Sequence, residues 1–297
     1  MSAATPVGAP VAARAAPPIA ALRTQGLVKR FGGLLATDHV DLDLAPGELH
    51  ALIGPNGAGK TTLVGQLSGE LVPDEGRIWL GEREVTRLPV DARARMGLAR
   101  SYQITQFCAD FTTLENVAMA SMQGETRSQA PESVEQAKGR AERAGRGGRG
   151  ARIGRGFFNG WTPMRRQTGA LEAARELIDR VGLGALVDVL AGDLGHGEHR
   201  QLELAMALAL RPSVLLLDEP LAGMSSAESE TMVALLQGLR GRHPILLIEH
   251  DMNAVFALAD RISVLVYGRV IATGDPPSIR ENTDVRSAYL GDEEMLA

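Results

Sequence analysis

The run ELHALIGPNGAGKTT, Glu48–Thr62, passes from an apolar strand-like segment through a glycine-rich turn into helix-forming sequence. Within it the spacing Gly54-x4-Gly59-Lys60-Thr61 is complete, and it sits between a strand and a helix as a phosphate-binding loop requires. The glycines let backbone N–H groups close around phosphate oxygens, and the helix N-terminus adds a favourable dipole. Gly54, Pro55, Asn56, Gly57, Ala58, Gly59, Lys60, Thr61 and Thr62 are therefore candidate nucleotide-binding residues. Lys60 supplies a point charge and the Thr61 hydroxyl a ligand for Mg²⁺. A helix is expected from Lys60 to about Ser68. The loop implies a nucleotide without saying which reaction.

Before the loop, from Ala21 to about Gly81, the chain reads as strands: Val40, Leu42 and Leu44 alternate with Asp41 and Asp43, and Pro46-Gly47 turns it into the apolar run. GRIWLGEREV returns as a hairpin-like pair. Residues 104–193 read mainly helical, and their two ends, TLENVAMASM and ALEAARELIDRVGL, are expected to pack together. There follow a helix over Leu202–Leu210, the run SVLLLDEP, a helix around Ala227–Leu239, the run PILLIEH, a short helix to Asp260, and an edge hairpin turning near Tyr267-Gly268. The continuous runs VLLL and ILLI suit strands buried on both faces of a mainly parallel sheet, so the class is α/β.

Three further groups bear on chemistry. VLLLDEP ends a buried strand in two acids, where open α/β sheets hold their ligands. Asp218 is the candidate Mg²⁺ group, and Glu219 the candidate base that deprotonates a water attacking the γ-phosphorus. His250 in LLIEHD stands at the next strand end, either to hydrogen-bond the γ-phosphate or merely to satisfy that strand end. Gln103 in RSYQIT is an exposed loop residue by itself.

Composition narrows the class. With 44% hydrophobic and 23% charged residues and a formal net charge of −5, the chain reads as a globular protein without nucleic acid as a default partner. No apolar run approaches the roughly 20 residues that cross a bilayer. The Ala/Pro-rich residues 1–20 read as a disordered tail and not as a signal peptide. The single cysteine, Cys108, admits no intrachain disulfide; it reads as a small semi-buried thiol and the protein as one of a reducing compartment. Between Lys138 and Arg166 lie nine basic residues and one acid, Glu142, in a Gly-rich background. That segment is either a solvated flexible insertion or a patch for anionic lipid or RNA.

One stretch joins these pieces. LGHGEHRQ, Leu194–Gln201, is a glycine-rich turn running into the apolar LELAMALAL, and it precedes the strand carrying Asp218. The order Gly54 loop, Gln103, LGHGEHRQ, Asp218-Glu219, LAGM, His250 resembles that of the ATP-binding cassette ATPases, over about Leu22–Leu290. LVKRFGGLLATDHVDLDL, ARMGLARSYQIT, LLIEHDM and VRSAYLG are further similar to the ATPase subunits of branched-chain or hydrophobic amino-acid importers.

The resemblance implies a P-loop NTPase fold: a RecA-like parallel-sheet core, an antiparallel β subdomain and an inserted α-helical subdomain at about 104–193. That subdomain carries the basic insertion at about 124–166, and residues 21–290 form one cassette with 291–297 as a tail. It implies that ATP and Mg²⁺ are bound, with Phe31 stacking on adenine. That aromatic also reads as an ordinary strand-end core residue. It further implies that Gln103 senses Mg²⁺ and the water, that Lys60, Glu219 and His250 serve hydrolysis, and that Thr61 and Asp218 hold the metal. Gly195, His196, Gly197 and Glu198 would face the ATP of a second, homologous cassette, on a helix anchored by Leu202, Ala205, Met206 and Ala209. Gly195 stands where the family commonly has serine. The implied partners are that second cassette, two integral-membrane permeases met through Ile104–Phe111, and, indirectly, an extracytoplasmic solute-binding protein; the implied location is the cytoplasmic face of the plasma membrane.

Two other classes compete. A non-transport ATPase of this type, acting in DNA repair or on ribosomes, would carry long heptad insertions or tandem cassettes. A small-molecule P-loop kinase would share Gly54–Thr61 but have no use for LGHGEHRQ or His250.

Overall fold

The computed structural model describes residues 19–101, 107–128 and 168–289, with the backbone alone at 125–128, 168 and 289. Gln103, nearly all of the basic insertion and the two expected tails, apart from 19–20, lie outside the described residues.

Strand β3 (Leu49–Ile53) is buried at all five positions. It runs parallel to β8 (Ile245–Ile248) on one side and to β9 (Arg261–Val266) on the other, with Ala51 opposite Leu247 and Ile262. The six-stranded sheet has the order β10-β9-β3-β8-β7-β6, where β6 is Leu98–Arg100, β7 is Val214–Asp218 and β10 is Arg269–Gly274. Only the β9–β10 pair is antiparallel. Strand residues alternate between two cores. Ala51, Ile53, Leu215, Leu217, Ile245 and Leu247 face one side, while Leu52, Leu216, Leu246 and Ile248 face the other. That two-sided burial is why the strands read as continuous apolar runs.

Helix α1 (Lys60–Ser68) fills the second core with Leu63, Val64 and Leu67, beneath an antiparallel sheet of order β2-β1-β4-β5. These strands are β1 (Leu22–Phe31), β2 (Leu34–Leu44), β4 (Glu75–Leu80) and β5 (Arg83–Glu84). Buried Arg93, on α2 (Val90–Arg95), closes the end of α1 by donating to the carbonyls of Gln66 and Leu67 at 2.6 and 2.7 Å.

On the other face, α3 (Thr113–Ser128) packs on α4 (Thr168–Arg180), and both pack on α5 (His196–Ala209) through Val117, Ala118, Ala174, Ile178, Leu202 and Ala205. Ala209 belongs to the same buried stripe, and Met206 is half-buried at its edge. Helices α6 (Ser226–Leu239) and α7 (Met252–Leu258) complete this layer, and α8 (Pro276–Glu281) and α9 (Thr283–Tyr289) follow the β10 edge.

Three details differ from the sequence reading. Helix α5 starts six residues before Leu202, at His196, because Glu198 in its first turn accepts the Gly195 N–H at 2.7 Å and folds the glycine turn into the helix end. Strand β6 carries no long apolar run and is held by pairing at the sheet edge. Cys108 is exposed instead of semi-buried, since its loop turns outward after Phe107.

Candidate nucleotide-binding and hydrolysis site

The loop after β3 lies between β2 and the β9–β10 turn. Gly268 donates to the Ala58 carbonyl and accepts from Asp38 N–H, both at 2.8 Å. A Cβ at Gly54 would stand 2.1 Å from the Leu265 carbonyl oxygen, and one at Gly59 2.2 Å from that of Ala36. Gly59 also has φ of +103°, so only glycine meets both demands. The middle of the loop, at Asn56 and Gly57, is exposed, and Ala58 and Lys60 are buried. The Lys60 Nζ donates to the Gly54 and Pro55 carbonyls at 2.5 and 3.1 Å. Its burial lowers the ammonium pKa, and the carboxylates of Glu219 and Asp218 oppose that shift. One charge thus links the loop after β3 to the end of β7. Thr61 is exposed and Thr62 half-buried in the first turn of α1.

At the end of β7, buried Asp218 accepts from Arg100 Nη2 through Oδ2 at 2.9 Å. The same guanidinium reaches Glu70 at 2.7 Å. Glu219 is half-buried with φ of +51°, a left-handed conformation that is costly for a side chain carrying a Cβ, and its N–H donates to the Ile248 carbonyl at 2.9 Å. Strain of this kind, stored at the candidate base itself, fits a site whose geometry is imposed by its surroundings. The side chain of His250 is 64% exposed at the end of β8. Beside it, Glu249 is fully buried and accepts from Leu221 N–H at 2.8 Å and His250 N–H at 3.1 Å. Desolvation raises its pKa.

The described residues contain no cluster of three or more His, Cys, Asp or Glu side chains able to hold a metal. Mg²⁺ takes one or two protein oxygens and completes its shell with water and phosphate. The Thr61 hydroxyl and the Asp218 carboxylate are the hard oxygen donors such an ion accepts.

The turn Gly195–Glu198 stands apart from this group. Its hydrogen bonds stay within the turn or run to Ala222 and Glu228, and none reaches Gly54–Thr62. His199 bonds the Ala191 carbonyl at 2.7 Å and stacks on Phe107 at 4.6 Å, so it braces the helix start. Phe31, at the end of β1, is 47% exposed and has Lys29 Nζ 5.7 Å from its ring centroid; it is not a core aromatic.

The structure therefore gathers Lys60, Asp218 and Glu219 and leaves the glycine turn elsewhere. Arg100, which holds Asp218, Glu249, which holds the His250 and Leu221 N–H groups, and Glu228, which holds the glycine turn, escaped the sequence reading. For Glu249 a signal existed: an acid closing the apolar run LLI, one position before His250.

Comparison with known proteins places these features in a family. Residues 37–222 match the model for "ABC transporter", and residues 269–295 that for "Branched-chain amino acid ATP-binding cassette transporter". The chain is 38% identical over 277 residues to the high-affinity branched-chain amino acid transport ATP-binding protein LivG of Escherichia coli (strain K12), covering 91% of this chain and 98% of LivG. Among solved structures, the ADP conformation of MJ1267, an ATP-binding cassette of an ABC transporter, aligns with a TM-score of 0.72 at 27% identity, covering 92% of this chain and 99% of that one. The dimeric bacterial ABC transporter cassette MJ0796 shares the fold with a TM-score of 0.64 at 20% identity, over 86% and 98% of the two chains.

Proposed function

The chain belongs to the ABC transporter family of ATP-binding, ATP-hydrolysing cassettes, and from that premise we propose that it powers uptake of branched-chain or other hydrophobic amino acids, or related small solutes such as amides, through separate permeases. In this reading residues 21–290 form one cassette, with the helical part at about 104–193, and work peripherally at the cytoplasmic face of the membrane with a solute-binding protein outside. No helix among the described residues is long and apolar enough to cross a membrane, which is in keeping with separate permease chains.

The observation that carries the mechanism is the convergence of Lys60, Asp218 and Glu219 at the C-terminal ends of β3 and β7, parallel strands on either side of β8. The N–H groups of Gly54–Thr62 bind the phosphates, and Lys60 exchanges the Gly54 and Pro55 carbonyls for phosphate oxygens. Thr61, Asp218 and Gln103 would hold Mg²⁺, and the ion would neutralise charge on the phosphates. Glu219 takes a proton from the attacking water, His250 contacts the γ-phosphate, and Phe31 stacks on adenine. Gly195, His196, Gly197 and Glu198 face the ATP held by a second cassette, so that ATP joins two subunits and its hydrolysis separates them.

Glu219→Gln tests the assignment. In the chain assembled with its permeases, it is expected to lower ATP turnover by at least about a hundredfold while ATP still joins the cassettes. Undiminished turnover would remove Glu219 as the base.

A further inference from the structure

The start of α5 offers its N–H groups to an anion, and an anion already holds one of them. Glu228, in the first turn of α6, reaches across 31 positions of sequence to accept the Gly197 N–H through Oε1 at 3.1 Å. The approach is close: a Cβ at Gly197 would stand 2.5 Å from that oxygen. Gly197 is buried although Gly195 and His196 beside it are exposed. Its amide hydrogen makes one bond, and the carboxylate lies where an incoming phosphate oxygen would have to sit.

The other carboxylate oxygen is engaged differently. Oε2 accepts from Ser225 N–H at 2.8 Å and from Ser225 Oγ at 2.7 Å, closing the capping box of α6. Glu228 therefore joins the starts of two helices, with one oxygen for each. A second tie, His196 Nε2 to the Ala222 carbonyl at 3.3 Å, joins the same two segments.

We propose that Glu228 is an internal substitute for phosphate: it holds the Gly197 amide until the γ-phosphate of the partner cassette's ATP takes that bond, and its displacement unlatches α5 from α6. A carboxylate and a phosphate both carry negative charge, and a single amide hydrogen cannot serve both at full strength. The α6 cap survives the exchange, because Oε2 keeps Ser225. The latch thus opens at the glycine turn only, and ATP arrival at one cassette is reported to the Leu221–Ser225 segment behind it. This inference rests on the proposed placement of the glycine turn against a partner's ATP.

The test uses the full chain in the Glu219→Gln background, titrating ATP with Mg²⁺ and reading dimer formation by sedimentation. Adding Glu228→Gln keeps the side-chain size and removes the charge. The ATP concentration for half-maximal dimerisation is expected to fall at least threefold, even where the melting temperature of the free chain also falls. A purely structural contact would instead weaken dimerisation along with the fold. An unchanged or raised ATP requirement in a folded Glu228→Gln chain overturns the latch. A Glu219→Gln chain that binds ATP but never dimerises overturns the underlying placement, and the latch with it. Glu228→Ser is the second variant should Glu228→Gln fail to fold; it carries no charge and cannot reach Gly197, and the same fall is expected.

Discussion

The fully buried carboxylate of Glu249 accepts the backbone N–H of Leu221 at 2.8 Å, tying the end of β8 to the turn that follows Glu219. Because Glu249 also accepts the His250 N–H, one side chain sets the spacing between the candidate base and the candidate γ-phosphate contact. Neither residue could hold its position by local sequence preference alone.

This arrangement has a pH signature. Burial raises the Glu249 pKa above the ordinary value of 4.5. A carboxyl raised by folding favours the folded state most below its unfolded pKa, and that contribution is lost as pH rises through the folded value. Gln at this position cannot ionise. The melting temperature of Glu249→Gln, relative to the parent, is therefore expected to improve from about pH 5 to about pH 8. Turnover should fall about tenfold, a barrier of about 1.4 kcal/mol, because the amide can accept only one of the two N–H groups. A melting-temperature difference that is flat with pH would show that Glu249 does not titrate in this way.

Arg100 spans Asp218 and Glu70 with a single guanidinium, at 2.9 and 2.7 Å. It holds Oδ2 of the aspartate proposed to bind Mg²⁺. Arg100→Lys retains the charge but not the fork, so the carboxylate loses its fixed orientation. The Mg²⁺ concentration that supports half-maximal nucleotide binding should rise about fivefold, a change of about 1 kcal/mol. Titration of Mg²⁺ against a fluorescent ATP analogue reads this directly.

Two loop glycines make opposite predictions. Gly59→Ala would place a methyl 2.2 Å from the Ala36 carbonyl oxygen at φ of +103°, and ATP binding should be lost. Gly57 has φ of +79° but nothing within 4 Å of the added Cβ. Gly57→Ala should cost only the strain of the left-handed backbone, about 1–2 kcal/mol, and leave a folded chain. Thermal melts and equilibrium binding of ATP separate the two cases, and equal losses would contradict the packing described.

Gly195 has φ of −71°, and its added Cβ would come no closer than 3.4 Å to Glu198 Oε2. Serine fits there without rearrangement. Gly195→Ser is expected to stabilise the free chain by only a few tenths of a kcal/mol as a helix cap. It should tighten ATP-driven association more, since a hydroxyl donating to a charged phosphate contributes about 1.5–3 kcal/mol. Equal ATP requirements for the two chains, measured by sedimentation in the Glu219→Gln background, would count against any contact of residue 195 with phosphate.

The features legible in the sequence are those whose chemistry is local. The loop Gly54–Thr62 declares itself because glycine spacing, a preceding apolar strand and a following helix lie within a few residues of one another. The runs VLLLDEP and LLIEHD declare two-faced burial, and the sheet places the second beside β3 as β8 and the first one strand further out as β7. Helix α1 matches its expected bounds, Lys60–Ser68, because the loop defines its start and Gly69, with φ of +92°, its end. The start of α5 was less legible, since glycine in a first turn argues against helix until the Glu198 contact is seen.

What only the tertiary structure decided are pairings between residues far apart in the chain. Arg100 meets Asp218 across 118 positions, Leu221 meets Glu249 across 28, and Gly197 meets Glu228 across 31. In the sequence Asp218 already marks a strand end, whereas Arg100 and Glu228 read as ordinary polar residues. A buried charge becomes a working part once the fold removes water and supplies a specific partner, and the strand order of the sheet determines which partner that is.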